Sequence, residues 1–486
     1  MAYTPAPVEP PVSLRLDPSA DDHAFFGHPR GLGWLSYAEF WERFSYYGMQ
    51  ALLVLYMTHR LLLPGHVDHV VGFAAFRSML EGVYGPLSAQ ALASVIFGLY
   101  AGLVYVTPIA GGLLADRVLG RTRTVVLGAS LMAAGHFLMA SEYTFLLALL
   151  CLLLGAGCFK GNLAAQVGTL YAPGDTRSTD GFQIYYLAIN VAVLASPLVC
   201  GTLGEHYGYH WGFGAAGAGM VIGLVIYLKG RAWLPRESAL DRNTQNKSRQ
   251  LLLRSERRRL IVMVALLPIL GAALVGNFQV FNAYLLWAET NFDLQVFGFA
   301  MPVTWLLSLG SVIVLASIAG TVLFWRWWAR HRAEPSALTK MTLGAFLLAC
   351  APLAPALCSY VVATTGHKAN LAWAVAYEIL NDVGYANLLP VGLALYARAA
   401  PKSVGGMVTG LYYVLLFFTN MLVGWLGGFL ERMSGVQFWL LHVAVVGSAA
   451  LVLLAVRGPV ARILVPAEET LVPVAAPLGS ETVSVL

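Results

Sequence analysis

Apolar stretches of about twenty residues recur along this 486-residue chain, parted by short polar connections. Each is long enough to cross about 30 Å of hydrocarbon as a helix. The pattern predicts twelve spans, at 34–58, 92–115, 122–141, 144–170, 182–203, 210–229, 260–288, 298–327, 337–362, 370–397, 405–430 and 436–457. Between the first two, residues 64–90 leave room for a short helix. A polar stretch at 230–259 divides the series into six and six and is too short to hold two further spans. The predicted organisation is a tail at 1–30, a six-helix bundle at 31–229, a linker at 230–259, a second six-helix bundle at 260–460 and a tail at 461–486. Residues 1–30 carry Pro, Asp and Arg with no apolar core, so no cleavable signal peptide is expected.

Composition sharpens this to an all-α polytopic membrane protein. Apolar residues make up 58% of the chain and charged residues 11%, against about 25% charged in a soluble domain. The mean hydropathy is +0.68. With both termini inside, 24 of the 30 Lys and Arg residues fall on the inner side, among them Arg117, Arg121, Arg123 and the run from Lys229 to Arg259. Arg60, Arg77, Lys368 and Arg432 fall outside, while Arg43 and Lys160 lie within spans. This asymmetry follows the positive-inside rule, and an odd number of spans in either half would destroy it. The net charge of +5 therefore signals orientation in the bilayer of a plasma (inner) membrane with cytoplasmic termini. The basic linker reads as solvated chain rather than a nucleic-acid surface. The five cysteines all fall in or at the ends of spans, without metal-ligand spacing, and read as small buried apolar residues. Trp325, Trp327 and Trp328 at the inner end of the eighth span read as an interfacial belt.

Against this background a few charges stand out. The first span contains Glu39-Phe-Trp-Glu42-Arg43-Phe-Ser-Tyr46-Tyr47-Gly48. A charge at bilayer depth costs about 2.5–3.5 kcal/mol on insertion scales, so such residues face a polar interior and usually serve function. At about 100° per residue, Glu39, Glu42, Arg43, Tyr46, Tyr47 and Gln50 share one helix face. Lys160, in Gly155-Ala-Gly157-Cys-Phe-Lys160-Gly161-Asn162, lies deep in the fourth span. The two cations balance the two carboxylates, so the four can form a neutral cluster. Such a cluster is a natural proton-linked switch, because protonating one Glu frees its cation for a substrate carboxylate. A purely structural salt-bridge network is the alternative. Protons would be the coupling ion, and no metal or organic cofactor is implied. No His-x-x-x-His pair, Ser–His arrangement or Gly-rich phosphate loop in the spans suggests an enzyme.

At the end of the second span, Gly112-Leu-Leu-Ala-Asp116-Arg117-Val-Leu-Gly120-Arg121 reads G-x-x-x-D-R-x-x-G-R. Gly112 would permit close helix approach, and Asp116, Arg117 and Arg121 could latch loop and helix ends in one conformer. With this pattern and its six-plus-six division the chain resembles the major facilitator superfamily, in which two six-helix bundles rock about a midplane site. The signature E-x-x-E-R-F-x-Y-Y-G, matched fully by Glu39 to Gly48, resembles more narrowly the proton-dependent oligopeptide transporter family. Further matches are Phe25 to Leu32, Tyr100 to Arg117, Phe159 to Asn162 and Asp180 to Asn190. The likeness is strong over roughly 25–230 and weaker beyond. It implies that Arg43 and Lys160 meet the carboxylate of a small peptide or peptide-like substrate, and that Glu39 and Glu42 serve proton coupling. Tyr46, Tyr47, Tyr105 and Asn190 would line the pocket.

The carboxy-terminal half departs from that family. Phe278, after Asn277, stands where the family carries a Glu in span seven, and Met301-Pro302 replaces Asn-Pro in span eight. Tyr385 replaces the Glu of span ten, in a register pinned by Pro390-Val391-Gly392-Leu393. Both missing carboxylates belong to the side that should bind an ammonium. The expectation is a substrate that keeps a carboxylate and lacks an ordinary free α-amine, such as an N-acylated or cyclic peptide. Asp382, one turn outward of Tyr385 on a face shared with Glu378, could supply the charge instead. Alternatively Asp382 and Glu378 face a solvated vestibule or pair with Lys368. Asn277, Gln279 and Asn282 could recognise peptide amides. The implied activity is proton-coupled import by alternating access. Export of a modified peptide, carriage of another organic anion and a non-transporting receptor are the alternatives, and the pattern carries no signal of oligomeric state.

Overall fold

The computed structural model describes residues 22–172, 174–235, 254–296, 298–401 and 405–464. The expected tails beyond 22 and 464, and linker residues 236–253, lie outside the described residues. The first half holds α1 (Arg30–Tyr56), α2 (Phe73–Tyr84), α3 (Ala89–Leu103), α4 (Thr107–Leu114), α5 (Arg121–Leu138), α6 (Phe145–Thr169), α7 (Arg177–Ser196) and α8 (Tyr209–Gly230). The second holds α9 (Arg254–Ala273), α10 (Val275–Phe278), α11 (Ala283–Asn291), α12 (Trp305–His331), α13 (Ala337–Cys350) and α14 (Leu353–Thr365). It continues with α15 (Ala372–Ala399), α16 (Gly405–Tyr412), α17 (Leu415–Gly427) and α18 (Gly435–Leu464). A two-strand hairpin, β1 (Gln295–Val296) against β2 (Phe299–Ala300), pairs Gln295 with Ala300.

Among the described residues eight helical segments are long and apolar enough to cross a membrane by themselves, and α9 with α10 makes a ninth if its 55° bend is bridged. The remaining crossings, α1, α5 and α15, are helices of 27, 18 and 28 residues. Each carries charged side chains that lower its average apolarity, Glu39, Glu42 and Arg43 in α1, Arg121 and Arg123 in α5, Glu378 and Asp382 in α15. With these three, the described residues hold twelve helical crossings. A helical crossing satisfies its backbone hydrogen bonds internally, which hydrocarbon demands. Large apolar side chains such as Leu147, Leu150 and Leu154 of α6 and Leu323 of α12 are exposed, as befits a lipid-facing surface.

Several crossings are broken rather than straight. The second divides between α3 and α4, where Pro108 starts the new helix and cannot donate to the old one. The seventh bends at Leu274 and again at Asn282, whose φ of −126° and ψ of −113° are not helical. The eighth begins at Trp305 rather than 298, because Gly298 takes a positive φ of 81° and the hairpin occupies the expected first turn. The connection at 64–90 does contain a helix, α2. Trp325 differs from the interfacial reading: its Nε1 donates to Asn387 Oδ1 of α15 at 2.7 Å. Cys350 is exposed, whereas Cys158, Cys200 and Cys358 are buried.

In the first half α1 packs against α7 and α8, and α6 against α4 and α5. In the second, α15 packs against α12 and α13, and α18 against α9, α13 and α14. The halves meet along α3 with α17 and α7 with α12. Gly98 makes the first of these seams: a Cβ there would stand 2.5 Å from the Asn420 carbonyl oxygen. Close helix approach at the second crossing depends on Gly111, not Gly112. A Cβ on Gly111 would lie 2.1 Å from Gly157 O of α6, whereas Gly112 faces open space.

Candidate functional site

Helix α1 runs through the middle of the first half, so its polar face meets protein rather than lipid. Glu39 and Arg43 are one turn apart, and Arg43 Nε donates to Glu39 Oε1 at 2.6 Å. The same Nε stands 3.0 Å from Glu42 Oε2. The glutamate side chains are 1% and 0% exposed and the arginine 12%, so the triplet is withdrawn from solvent except on the arginine side. Neither oxygen of Glu42 and only one of Glu39 has a hydrogen-bond donor. Arg43 is therefore the counter-charge that the two carboxylates share. Buried Tyr185 of α7 and Tyr100 of α3 stand beside the carboxylates.

Lys160 enters from α6. It lies within electrostatic reach of Glu39, Glu42 and Arg43 but makes no ion pair among the described residues. Its Nζ sits 3.7 Å from the centre of the Tyr46 ring and 5.8 Å from that of Tyr105. A cation–π contact of this kind is worth about 0.5–2 kcal/mol, rising with desolvation. The neutral four-charge cluster expected from sequence is thus a triplet with a neighbouring ammonium held by aromatic faces. Protonation of Glu42 would remove one of the two anions on Arg43, and a substrate carboxylate could bridge Arg43 and Lys160.

Tyr47 and Tyr105 bring this constellation to the second half. The Tyr47 ring lies 6.1 Å from Phe281, and Tyr105 neighbours Tyr47, Arg43, Tyr385 and Tyr413. Asn190 is half-buried one turn after Tyr186, its Nδ2 donating to the Tyr186 carbonyl at 2.8 Å. Phe278 and Asn277 are half-buried on α10, and Asn277 Nδ2 lies 3.4 Å from Asp382 Oδ1. Asn282 is fully buried behind them, its Nδ2 spent on Gln279 Oε1 and Val423 O at 3.2 Å each. Asp382 and Glu378 are also buried, which removes the solvated vestibule. Nor do they pair with Lys368, whose Nζ donates to the Glu289 carbonyl at 2.8 Å. Asp116 and Arg117 are exposed at the end of the second crossing, and neither they nor Arg121 forms an ion pair among the described residues.

The hydrogen bonds that tie the halves together lie towards one end, the outer one in the orientation given by the Lys and Arg distribution. Glu205, after α7, caps the start of α12: its carboxylate accepts from Val303 N at 2.8 Å, Thr304 N at 3.0 Å and Thr304 Oγ1 at 2.6 Å. Trp305 Nε1 donates to Thr202 Oγ1 at 2.9 Å, and Ser308 Oγ to Leu194 O at 2.8 Å. His59 Nε2 stands 3.3 Å from Glu289 Oε2, and Ser88 Oγ donates to Glu431 Oε2 at 2.6 Å. Sequence reasoning missed Glu205, Tyr413, Tyr185 and Tyr100. The two latter lie in motifs it had already marked; Glu205 gives no signal before its partner on the other half is known.

A family profile described as the POT family matches residues 122–267 and 236–439. The chain is 29% identical over 476 residues to the peptide transporter YePEPT of Yersinia enterocolitica, spanning 83% of this chain and 88% of that protein. It is 34% identical over 293 residues to a di-/tripeptide transporter of Lactococcus lactis subsp. cremoris, which covers 59% of this chain and 54% of that one. Among solved structures, the peptide transporter POT in complex with alafosfalin is similar with a TM-score of 0.78 at 26% identity, over 92% of this chain and 98% of that chain.

Proposed function

We propose that this chain, which belongs to the POT family and is a proton-dependent peptide transporter, imports small carboxylate-bearing peptides or peptide-like compounds into the cytoplasm. The inner (plasma) membrane would hold it with both termini cytoplasmic, as the Lys and Arg distribution favours. The reading is carried by one observation: Arg43 is shared by Glu39 and Glu42 while Lys160, beside it, makes no ion pair among the described residues. A proton on Glu42 and a substrate carboxylate on Arg43 and Lys160 are mutually favourable, since each compensates for the charge the other disturbs. Tyr46, Tyr47, Tyr105 and Asn190 would line the peptide path from the first half, and Asn277, Phe278 and Tyr385 from the second, while Asn282, buried behind them, would brace the kink rather than meet the substrate. Asp382 would take the substrate ammonium. The bundles 31–229 and 260–460 would rock as bodies, with Asp116, Arg117 and Arg121 latching the inner end in the opposite conformer.

A second reading is favoured by Phe278 and Tyr385, two uncharged residues where an ammonium would be met. In it the substrate is N-modified and Asp382 serves another purpose. Counterflow in proteoliposomes, with a free dipeptide and its N-acetylated form compared, tests both. Uptake of the free form supports the first reading, and uptake of the capped form alone supports the second. Exchange of neither, with a proton gradient giving no accumulation of either, would overturn the transport of small peptides altogether.

A further inference from the structure

The second half contains a buried pair of acids for which the mechanism above has only a partial use. Glu378 and Asp382 lie one turn apart on α15, exposed by 5% and 3%. Side chains at this spacing have Cβ atoms about 5–6 Å apart. Neither has an ion-pair partner among the described residues. The elements packed on α15 are α10, α12, α13, α14 and α16. Their basic residues are Arg326, Arg330 and His331 of α12 and Lys340 of α13, all at the inner end. Lys340 is engaged there by Glu334. Arg326 follows Gly310, the residue opposite Glu378, by sixteen positions on α12, about 24 Å at 1.5 Å per residue. The titratable groups that do face the pair are the phenols of Tyr284, Tyr377 and Tyr385. Asn277 of α10 adds one long contact to Asp382 at 3.4 Å.

Part of the polar surface around the pair has no well-formed hydrogen bond among the described residues. Asp382 Oδ2 has no hydrogen-bond partner among the described residues. Asn381, between the two acids in sequence and 0% exposed, is set beside the Glu378 carboxyl, and neither its Oδ1 nor its Nδ2 makes a well-formed hydrogen bond among the described residues. On α12, Gly310 leaves the space for that carboxyl: a Cβ there would lie 3.2 Å from Glu378 Cδ and 3.3 Å from each oxygen. Two carboxylates at this spacing, out of water and without a cation, cannot both be ionised at tolerable cost. We propose that Glu378 and Asp382 form a second proton-carrying site, in the carboxy-terminal half, sharing one proton while the outer end is closed. Loss of that proton leaves an additional negative charge beside Asn277, where Asp382 can receive a substrate ammonium. The site abuts α12 two residues beyond Ser308, whose hydroxyl bonds Leu194 of the first half, so its charge state bears on the helix that closes the outer end.

This rests on the proton-dependent reading above, and the test separates the two. Wild-type protein and Glu378→Gln would be reconstituted, with labelled dialanine as the probe. Accumulation at a fixed pH gradient is compared with exchange at equal pH, and infrared spectra of the same samples report the carbonyl stretch of protonated carboxyl groups. Glu378→Gln is expected to lower gradient-driven accumulation at least fivefold more than exchange and to remove a protonated-carboxyl band. Equal effects on the two modes, or no effect, with the band retained, would overturn the second site while leaving the transporter reading intact. Absence of gradient-driven accumulation in the wild type would instead overturn the reading it rests on. Should Glu378→Gln not fold, Gly310→Ala keeps both acids while pressing on the carboxyl. It is expected to shift the band and lower accumulation relative to exchange, and no change in either would contradict the proposal.

Discussion

Arg43 is the residue on which the amino-terminal site turns. It holds two buried glutamates with one guanidinium nitrogen. Removing one partner of a buried ion pair typically costs about 3–5 kcal/mol, because the remaining charge is left uncompensated. Arg43→Ala is therefore expected to lower both gradient-driven uptake and exchange by at least a hundredfold and to reduce thermal stability in detergent. Transport assays paired with a melting curve check this, and wild-type exchange in the variant would remove Arg43 from substrate binding. Tyr385 poses the complementary question in the other half. Tyr385→Glu is expected to strengthen competition by free-amine dipeptides about tenfold, or about 1.4 kcal/mol, measured as the inhibition constant in exchange. An unchanged constant would mean that the ammonium is met elsewhere.

At the scale of elements, the seams between the halves make the sharpest claims. The Glu205 carboxylate accepts three hydrogen bonds at the start of α12 from the opposite half, joining a helix cap to a domain contact. Loss of an ordinary N-cap costs about 0.5–2 kcal/mol, and here the loss falls on one conformer only. Glu205→Ala is expected to raise the population open at the outer end several-fold, read as a broadened distance between spin labels on α2 and α11. An unchanged distribution would show the cap to be local. Gly98 permits the contact of α3 with α17. Gly98→Val is expected to cost about 1–3 kcal/mol of stability as overpacking, seen as a lower melting temperature.

The elements also show what was legible beforehand. Hydrocarbon forces backbone groups to pair within a helix, so most crossings could be counted from hydropathy, and α1, α5 and α15 from the apolar stretches on either side of their charges. Breaks within crossings depend on tertiary partners and could not be read. Asn282 sits at a kink and spends its amide on Gln279 and Val423, so its burial behind Asn277 and Phe278 follows from packing rather than spacing. Charge balance suggested that Lys160 joins Glu39, Glu42 and Arg43 in a neutral cluster, but its seat on the aromatic faces of Tyr46 in α1 and Tyr105 in the break between α3 and α4 leaves no trace in local sequence. Likewise, a glycine pattern could not choose between the neighbours Gly111 and Gly112.

Across the whole molecule, the charged triplet of α1, the ammonium of α6 and the acid pair of α15 occupy different helices of two halves that meet towards their outer ends. Substrate and proton can be linked through such an arrangement only if the buried carboxylates change protonation during the cycle. The most direct measurement is therefore peptide uptake by Glu42→Gln in proteoliposomes, driven either by a pH gradient or by exchange. Gradient-driven accumulation is expected to fall at least tenfold while exchange persists at a measurable rate. Accumulation equal to that of the wild type would contradict proton coupling through the Glu39–Glu42–Arg43 triplet.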